Sequence, residues 1–205
     1  MSLSISVPRP EPARSISLLW IVLYLPAHHF VAQTVQYENA FICLRLAFLV
    51  CFVAVLLVRG ESIQIRDAFI GRWLHGRRDW MVASVYILLA VALREAVAHA
   101  FQYRKEAFSP TTYVMMAVAA PLNEEIVFRG VFLGALVASA PRHPWAGVIV
   151  STAIFVTCHD LTQSHLDTLT VLSVQSLLYG ACYINTRCVP LCVLCHWLWN
   201  SLWFI

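Results

Sequence analysis

Apolar positions along this chain fall in long runs, and polar positions gather in the short stretches between them. The runs cover about 15–34, 40–58, 80–98, 112–139, 145–159, 167–186 and 188–205. A helix needs about 20 apolar residues to cross a hydrocarbon core of about 30 Å. Backbone groups cannot be left unpaired in lipid, so each run predicts a helix, whereas a β-barrel would need short alternating segments that are absent. The pattern predicts an all-α polytopic transmembrane bundle of about seven spans. The fifth run is short for a span. The first carries Pro26, His28 and His29. No small-residue cleavage site follows it, so it reads as a retained span rather than a signal peptide. Pro121 lies in the middle of the fourth run, and Pro141 and Pro144 mark the turn after it.

Between the second and third runs, Arg59, Arg66, Arg72, Arg77 and Arg78 mix with a few acids. This stretch reads as a loop with a short interfacial helix. Arg104, Lys105 and Glu106 form a charged segment before the fourth run. No internal repeat or low-complexity tract appears, so the chain reads as one membrane domain. Residues 1–109 carry spans and charged loops without a motif, and residues 110–205 carry the motif-bearing core. With seven spans and the amino terminus inside, nine Lys and Arg fall on inner segments and four on outer ones. That excess predicts a cytoplasmic amino terminus.

Composition agrees with this picture. Hydrophobic residues make up 60% of the 205, and charged residues only 12%, against about 25% in soluble domains. The net charge of +3, with no basic block and no Gly-rich phosphate loop, gives no reason to expect nucleic acid as a partner. Seven cysteines, most of them inside apolar runs, read as small packing residues and not as a disulfide framework.

Ionisable residues at membrane depth are costly and usually functional, and three groups qualify. The first is the stretch from Pro121 to Gly130, PLNEEIVFRG. Glu125 and Arg129 are four apart, share a helix face and can pair. Glu124 points about 100° away from Glu125. A carboxylate in a desolvated pocket is suited to take a proton from water; a buried ion network that only locks helices together is the plainer alternative. The second group ends the fifth run. There Phe155 and His159, four apart, put an aromatic wall and an imidazole on one face. A histidine at a helix end can also be simply interfacial. The third is His196 with Asn200, again four apart, two hydrogen-bond donors that could face a developing oxyanion or form an interhelical clamp.

EExxxR, then FxxxH, then HxxxN, each on its own apolar helix, resembles the CPBP intramembrane protease family. That family includes CAAX prenyl endopeptidases and bacteriocin-processing, abortive-infection-like proteins. The resemblance covers about 110–205. It implies that Glu124 is the catalytic glutamate, with His159, and that His196 and Asn200 stabilise the oxyanion. Glu125, Arg129 and Phe155 are then supports. It implies a membrane-anchored, prenylated or carboxyl-terminal-helix-tagged protein substrate, a bacterial cytoplasmic membrane location and no cofactor. In a metal-dependent variant, Glu124, His159 and His196 would be zinc ligands with an open fourth position. A non-enzymatic immunity or scaffold protein of the same fold, or a small proton-coupled transporter, is the rival reading. Transport usually leaves inverted repeats, and none is found. Cys192, Cys195 and His196 match the haem-attachment pattern C-x-x-C-H, but inside an apolar span whose histidine belongs to HxxxN. Arg94 and Glu95 read as the anchor of a span at a membrane edge.

Overall fold

The structure, a computed structural model, describes residues 74, 76–102, 109–159 and 166–203. The first two apolar runs, most of the arginine-rich loop, the 104–106 segment and the histidines His28 and His29 lie outside the described residues. Everything described is helix or connecting turn, with no strand.

Helix α1 spans Gly76–Ala100. It is long and apolar enough to cross a membrane, with a mean hydropathy of 1.9 over its best window. Its buried residues, Ala83, Ala90, Arg94 and Val97, recur at helical spacing and form one narrow face. The alanines let neighbouring backbones come close. Met81, Val85 and Leu88 are exposed on the opposite side, as lipid-facing residues would be.

The fourth run forms one continuous helix, α2, over 110–139. Its segments alternate: α-helical Pro110–Tyr113, π-helical Val114–Ala119, α-helical Ala120–Glu125, π-helical Ile126–Leu133 and α-helical Gly134–Ser139. Ser109 caps the start, its hydroxyl accepting from the Thr112 N–H at 3.1 Å. Proline in a helix interior ordinarily removes a ladder bond and kinks the chain, yet α2 passes through Pro121. The wide turn before it is the reason. Ala120 donates to the Met115 carbonyl five residues back. In that register the Met116 carbonyl would look to residue 121, which has no N–H. The missing donor comes from another helix, as Asn200 Nδ2 reaches the Met116 carbonyl at 2.7 Å.

Helices α3 (Pro144–Thr157), α4 (Leu166–Thr186) and α5 (Val189–Ser201) complete the described bundle. Pro144 and Pro190 sit in the first turns of α3 and α5, where proline costs no hydrogen bond. α4 and α5 are joined by a tight turn. There Arg187 takes a positive φ of 55°, and Thr186 Oγ accepts from the Cys188 N–H at 3.3 Å. α3 and α4 approach most closely at Gly180, where an added Cβ would lie 2.7 Å from Val148 Cγ1. α1 packs on α4 and α5, and Asn185 Nδ2 of α4 donates to the Tyr86 hydroxyl of α1 at 2.7 Å. The main apolar core lies among α1, α4 and α5. A smaller one, of Val127, Phe128, Phe155 and Cys158, joins α2 to the end of α3.

Five helices thus occupy the predicted third to seventh runs. Among the described residues only α1 has both the length and the composition of a span; α3 is apolar but shorter.

Candidate active site

Glu125 is the point where the motifs meet. It is fully buried on α2, between the two wide turns. Its Oε1 accepts from Arg129 Nη1 at 3.1 Å and from His196 Nδ1 at 2.8 Å. The spacing of four that suggested the first pair holds. The second contact joins EExxxR on α2 to HxxxN on α5. A carboxylate oxygen only accepts, so Nδ1 of His196 carries hydrogen. Glu125 Oε2, also buried, has no hydrogen-bond partner.

Arg129 carries the connection onward. Its Nη2 donates to the Ser176 carbonyl at 3.1 Å and to the Ser176 hydroxyl at 2.9 Å, both on α4. Ser176 in turn donates to Thr152 on α3 at 3.2 Å. The guanidinium carbon lies 4.9 Å from the Phe155 ring centre and 5.4 Å from that of Tyr179. These ring faces supply the attraction that water would give elsewhere. Tyr179 also stacks on His196, with ring centres 4.9 Å apart. One carboxylate and one guanidinium therefore tie α2, α3, α4 and α5 together. Tyr179, Ser176 and Thr152 belong to no motif. Their signal was present all the same, since polar atoms inside apolar runs need partners.

Glu124 is buried on the same turn of α2 as Glu125. His159 follows the last turn of α3 and is partly exposed. Its Nδ1 lies 2.8 Å from the Phe155 carbonyl. A carbonyl only accepts, so Nδ1 bears the hydrogen and Nε2 presents a lone pair. The Phe155 ring lies 4.5 Å from the imidazole and packs edge-on against Phe128 of α2 at 5.1 Å. Phe155 thus fixes the end of α3, and His159 with it, against the helix that bears both glutamates. Asn200 divides its amide, with Nδ2 on the Met116 carbonyl and Oδ1 accepting from Gln175 at 3.5 Å. One hydrogen of Nδ2 remains for another acceptor.

Arg94, read from the sequence as the anchor of a span, is buried at 3% exposure. Its guanidinium pairs with Glu95, donates to the carbonyl of Leu202 and lies 4.4 Å from the centre of the Trp203 ring. A cation thus closes the carboxyl-terminal end of α5, where helix carbonyls lack partners and the dipole is negative.

For the zinc alternative, the described residues contain no group of three His, Cys, Asp or Glu side chains placed to share an ion. Glu124, His159 and His196 do not make such a set in this arrangement. Cys182, Cys188, Cys192 and Cys195 are buried thiols without disulfides.

Residues 106–202 match the family model of the type II CAAX prenyl endopeptidase Rce1-like proteins. A curated Escherichia coli protein, titled "Uncharacterized 24.3 kDa protein", is 28% identical over 127 residues, 60% of this chain and 58% of that protein. The chain thus spans under two thirds of this relative's length. No solved structure matches it.

Proposed function

We propose that this chain, whose residues 106–202 match the Rce1-like type II CAAX prenyl endopeptidase model, is an intramembrane endopeptidase of the CPBP kind. Its substrate is a membrane-anchored protein, prenylated or tagged with a carboxyl-terminal helix. The observation that carries this reading is the 2.8 Å contact of Glu125 with His196. It brings the paired carboxylates and the HxxxN helix to one buried place, where an unpaired charge would be prohibitive.

Glu124 acts as the base. It takes a proton from a water molecule held by the Nε2 lone pair of His159 while the water oxygen attacks the scissile carbonyl carbon. The carbonyl oxygen becomes an oxyanion, which accepts from His196 Nε2 and the remaining hydrogen of Asn200 Nδ2. His196 donates from Nε2 only as the imidazolium, and the Glu125 carboxylate at Nδ1 is its counterion, much as a buried aspartate serves a catalytic histidine. When the intermediate collapses, the C–N bond breaks and the proton passes from Glu124 to the leaving amine. Arg129 holds Glu125, and Phe155 holds His159. No nucleophilic serine or cysteine and no cofactor takes part.

The predicted cytoplasmic amino terminus puts His159 toward the outer face of the membrane. This favours processing of exported proteins in a bacterial cytoplasmic membrane over a cytosol-facing reaction. A non-enzymatic scaffold of the same fold is the rival, since the Glu125–Arg129–Ser176 connection would also serve stability alone.

The test is cleavage by the purified protein in detergent of a panel of prenylated and helix-tailed peptides, with Glu124→Ala and a chelator as separate arms. Cleavage that survives the chelator and is abolished by Glu124→Ala is the expected result. Cleavage retained by Glu124→Ala overturns the assignment of the base. Loss in chelator with recovery in zinc replaces the metal-free mechanism. No cleavage of any peptide favours the scaffold.

A further inference from the structure

Asn123 stands directly before the paired glutamates and belongs to none of the motifs. It is 2% exposed, yet neither its Oδ1 nor its Nδ2 has a hydrogen-bond partner. A carboxamide can accept at its oxygen and donate twice from its nitrogen. Burying one with nothing to bind forfeits solvation without return, and buried side chains in folded proteins are nearly always satisfied. The resting protein lacks the partner of this group.

Its position indicates where that partner comes from. Successive helical residues step about 100°, so Asn123 lies nearly opposite Glu125 across α2, with Glu124 between them. One turn further on, Val127 and Phe128 pack against Phe155 and Cys158 at the end of α3, and His159 follows in that turn. The unsatisfied amide therefore sits at the level of Glu124 and His159, away from the Glu125–His196 contact.

We propose that Asn123 binds the polypeptide backbone of the substrate beside the scissile bond. Its Oδ1 accepts from a substrate N–H, and its Nδ2 donates to a substrate carbonyl. A peptide group offers one donor and one acceptor, the complement of a carboxamide, whereas a prenyl chain or lipid tail offers neither. Such a contact holds the substrate chain in register over Glu124 without reading its side chains. This inference rests on the endopeptidase reading above.

The experiment uses the full chain in detergent, as wild type and as Asn123→Leu, which keeps the branched shape and removes the amide. Melting temperature is measured without substrate. The substrate is the panel peptide that is cleaved best, and the probes are analogues with an ester in place of one backbone amide on either side of the scissile bond. Asn123→Leu is expected to melt at or above the wild-type temperature, because no bond is lost and a stranded amide is removed. KM is expected to rise by about tenfold, the worth of one or two hydrogen bonds, with kcat little changed. One ester position should weaken wild type and leave Asn123→Leu unaffected. A lowered melting temperature gives the amide a structural task and overturns the proposal. So does an unchanged KM, or an ester penalty equal in both proteins. Asn123→Leu that is kinetically silent while Glu124→Ala is dead sinks this inference alone. Full activity in Glu124→Ala sinks the assigned base instead, and the melting comparison still decides Asn123.

Discussion

Glu125→Gln keeps the shape of the side chain at the crossing of four helices and removes its charge. Arg129 would then stay fully buried with only neutral company: the Ser176 carbonyl and hydroxyl and two ring faces. Breaking a buried ion pair from one side costs about 3–5 kcal/mol, because the surviving charge is stranded. The new amide oxygen can still accept one hydrogen bond, which offsets about 1 kcal/mol. The expected net loss is about 2–4 kcal/mol. For a chain of this size, that corresponds to a fall of roughly 5–15 °C in melting temperature. The assay is thermal unfolding in detergent, followed by reaction of the buried thiols of Cys182, Cys192 and Cys195 with a dye that fluoresces on coupling. The double variant Glu125→Gln, Arg129→Met removes the carboxylate and the guanidinium together, leaves His196 neutral with Nδ1–H on the amide oxygen, and is expected to recover most of the loss, since apolar replacement of a whole pair is often neutral. Glu125→Gln that melts with wild type, or a double variant less stable than the single one, would refute the claim that Glu125 balances a buried guanidinium.

Three further perturbations test separate contacts. Gly180→Ala places a methyl against Val148 and is expected to cost about 1–3 kcal/mol by overpacking; Val148→Ala in the same chain should restore much of it in the same melting assay. Asn200→Ala leaves the Met116 carbonyl without its donor and is expected to cost about 1–3 kcal/mol. The cost should shrink when Pro121→Ala returns a backbone N–H to α2, which hydrogen exchange along 114–121 can follow. Arg94→Met keeps the apolar stem but uncovers the Leu202 carbonyl. A loss of about 1–3 kcal/mol is expected, with faster amide exchange confined to the last turn of α5; exchange that does not change there would rule out the capping role.

What could be read from the sequence was what is local. Helix limits followed from the apolar runs and from the turn marked by Pro141 and Pro144, and α2 to α5 lie close to the runs that predicted them. Glu125 with Arg129 followed from a spacing of four. The contacts that shape the site are not local, and no window of sequence contains them. Glu125 meets His196 across 71 residues, and Met116 meets Asn200 across 84. The run around Pro121 also does not show how α2 continues through it, because the compensating donor lies on the last helix. The burial of Arg94 was out of reach for the same reason, since only the packing of α1 against the end of α5 shows it. Which motif residue contacts which was likewise out of reach, since the order along the chain does not say which glutamate turns toward α5.

The hydrogen bond from Asn200 to the Met116 carbonyl also has a consequence in time. α2 leaves the ribosome well before α5, carrying Glu124, Glu125, Arg129 and a carbonyl that its own proline cannot satisfy. Until residues 196 and 200 emerge, none of the donors that α5 supplies is present, and lipid offers no substitute. The motif helix therefore enters the bilayer unfinished, and its completion coincides with that of the last helix. A chain stalled short of residue 196 would hold both glutamates and no assembled site. On the proposed function it could not cut its surroundings prematurely, and it would present the membrane's quality-control machinery with an unfinished bundle to remove.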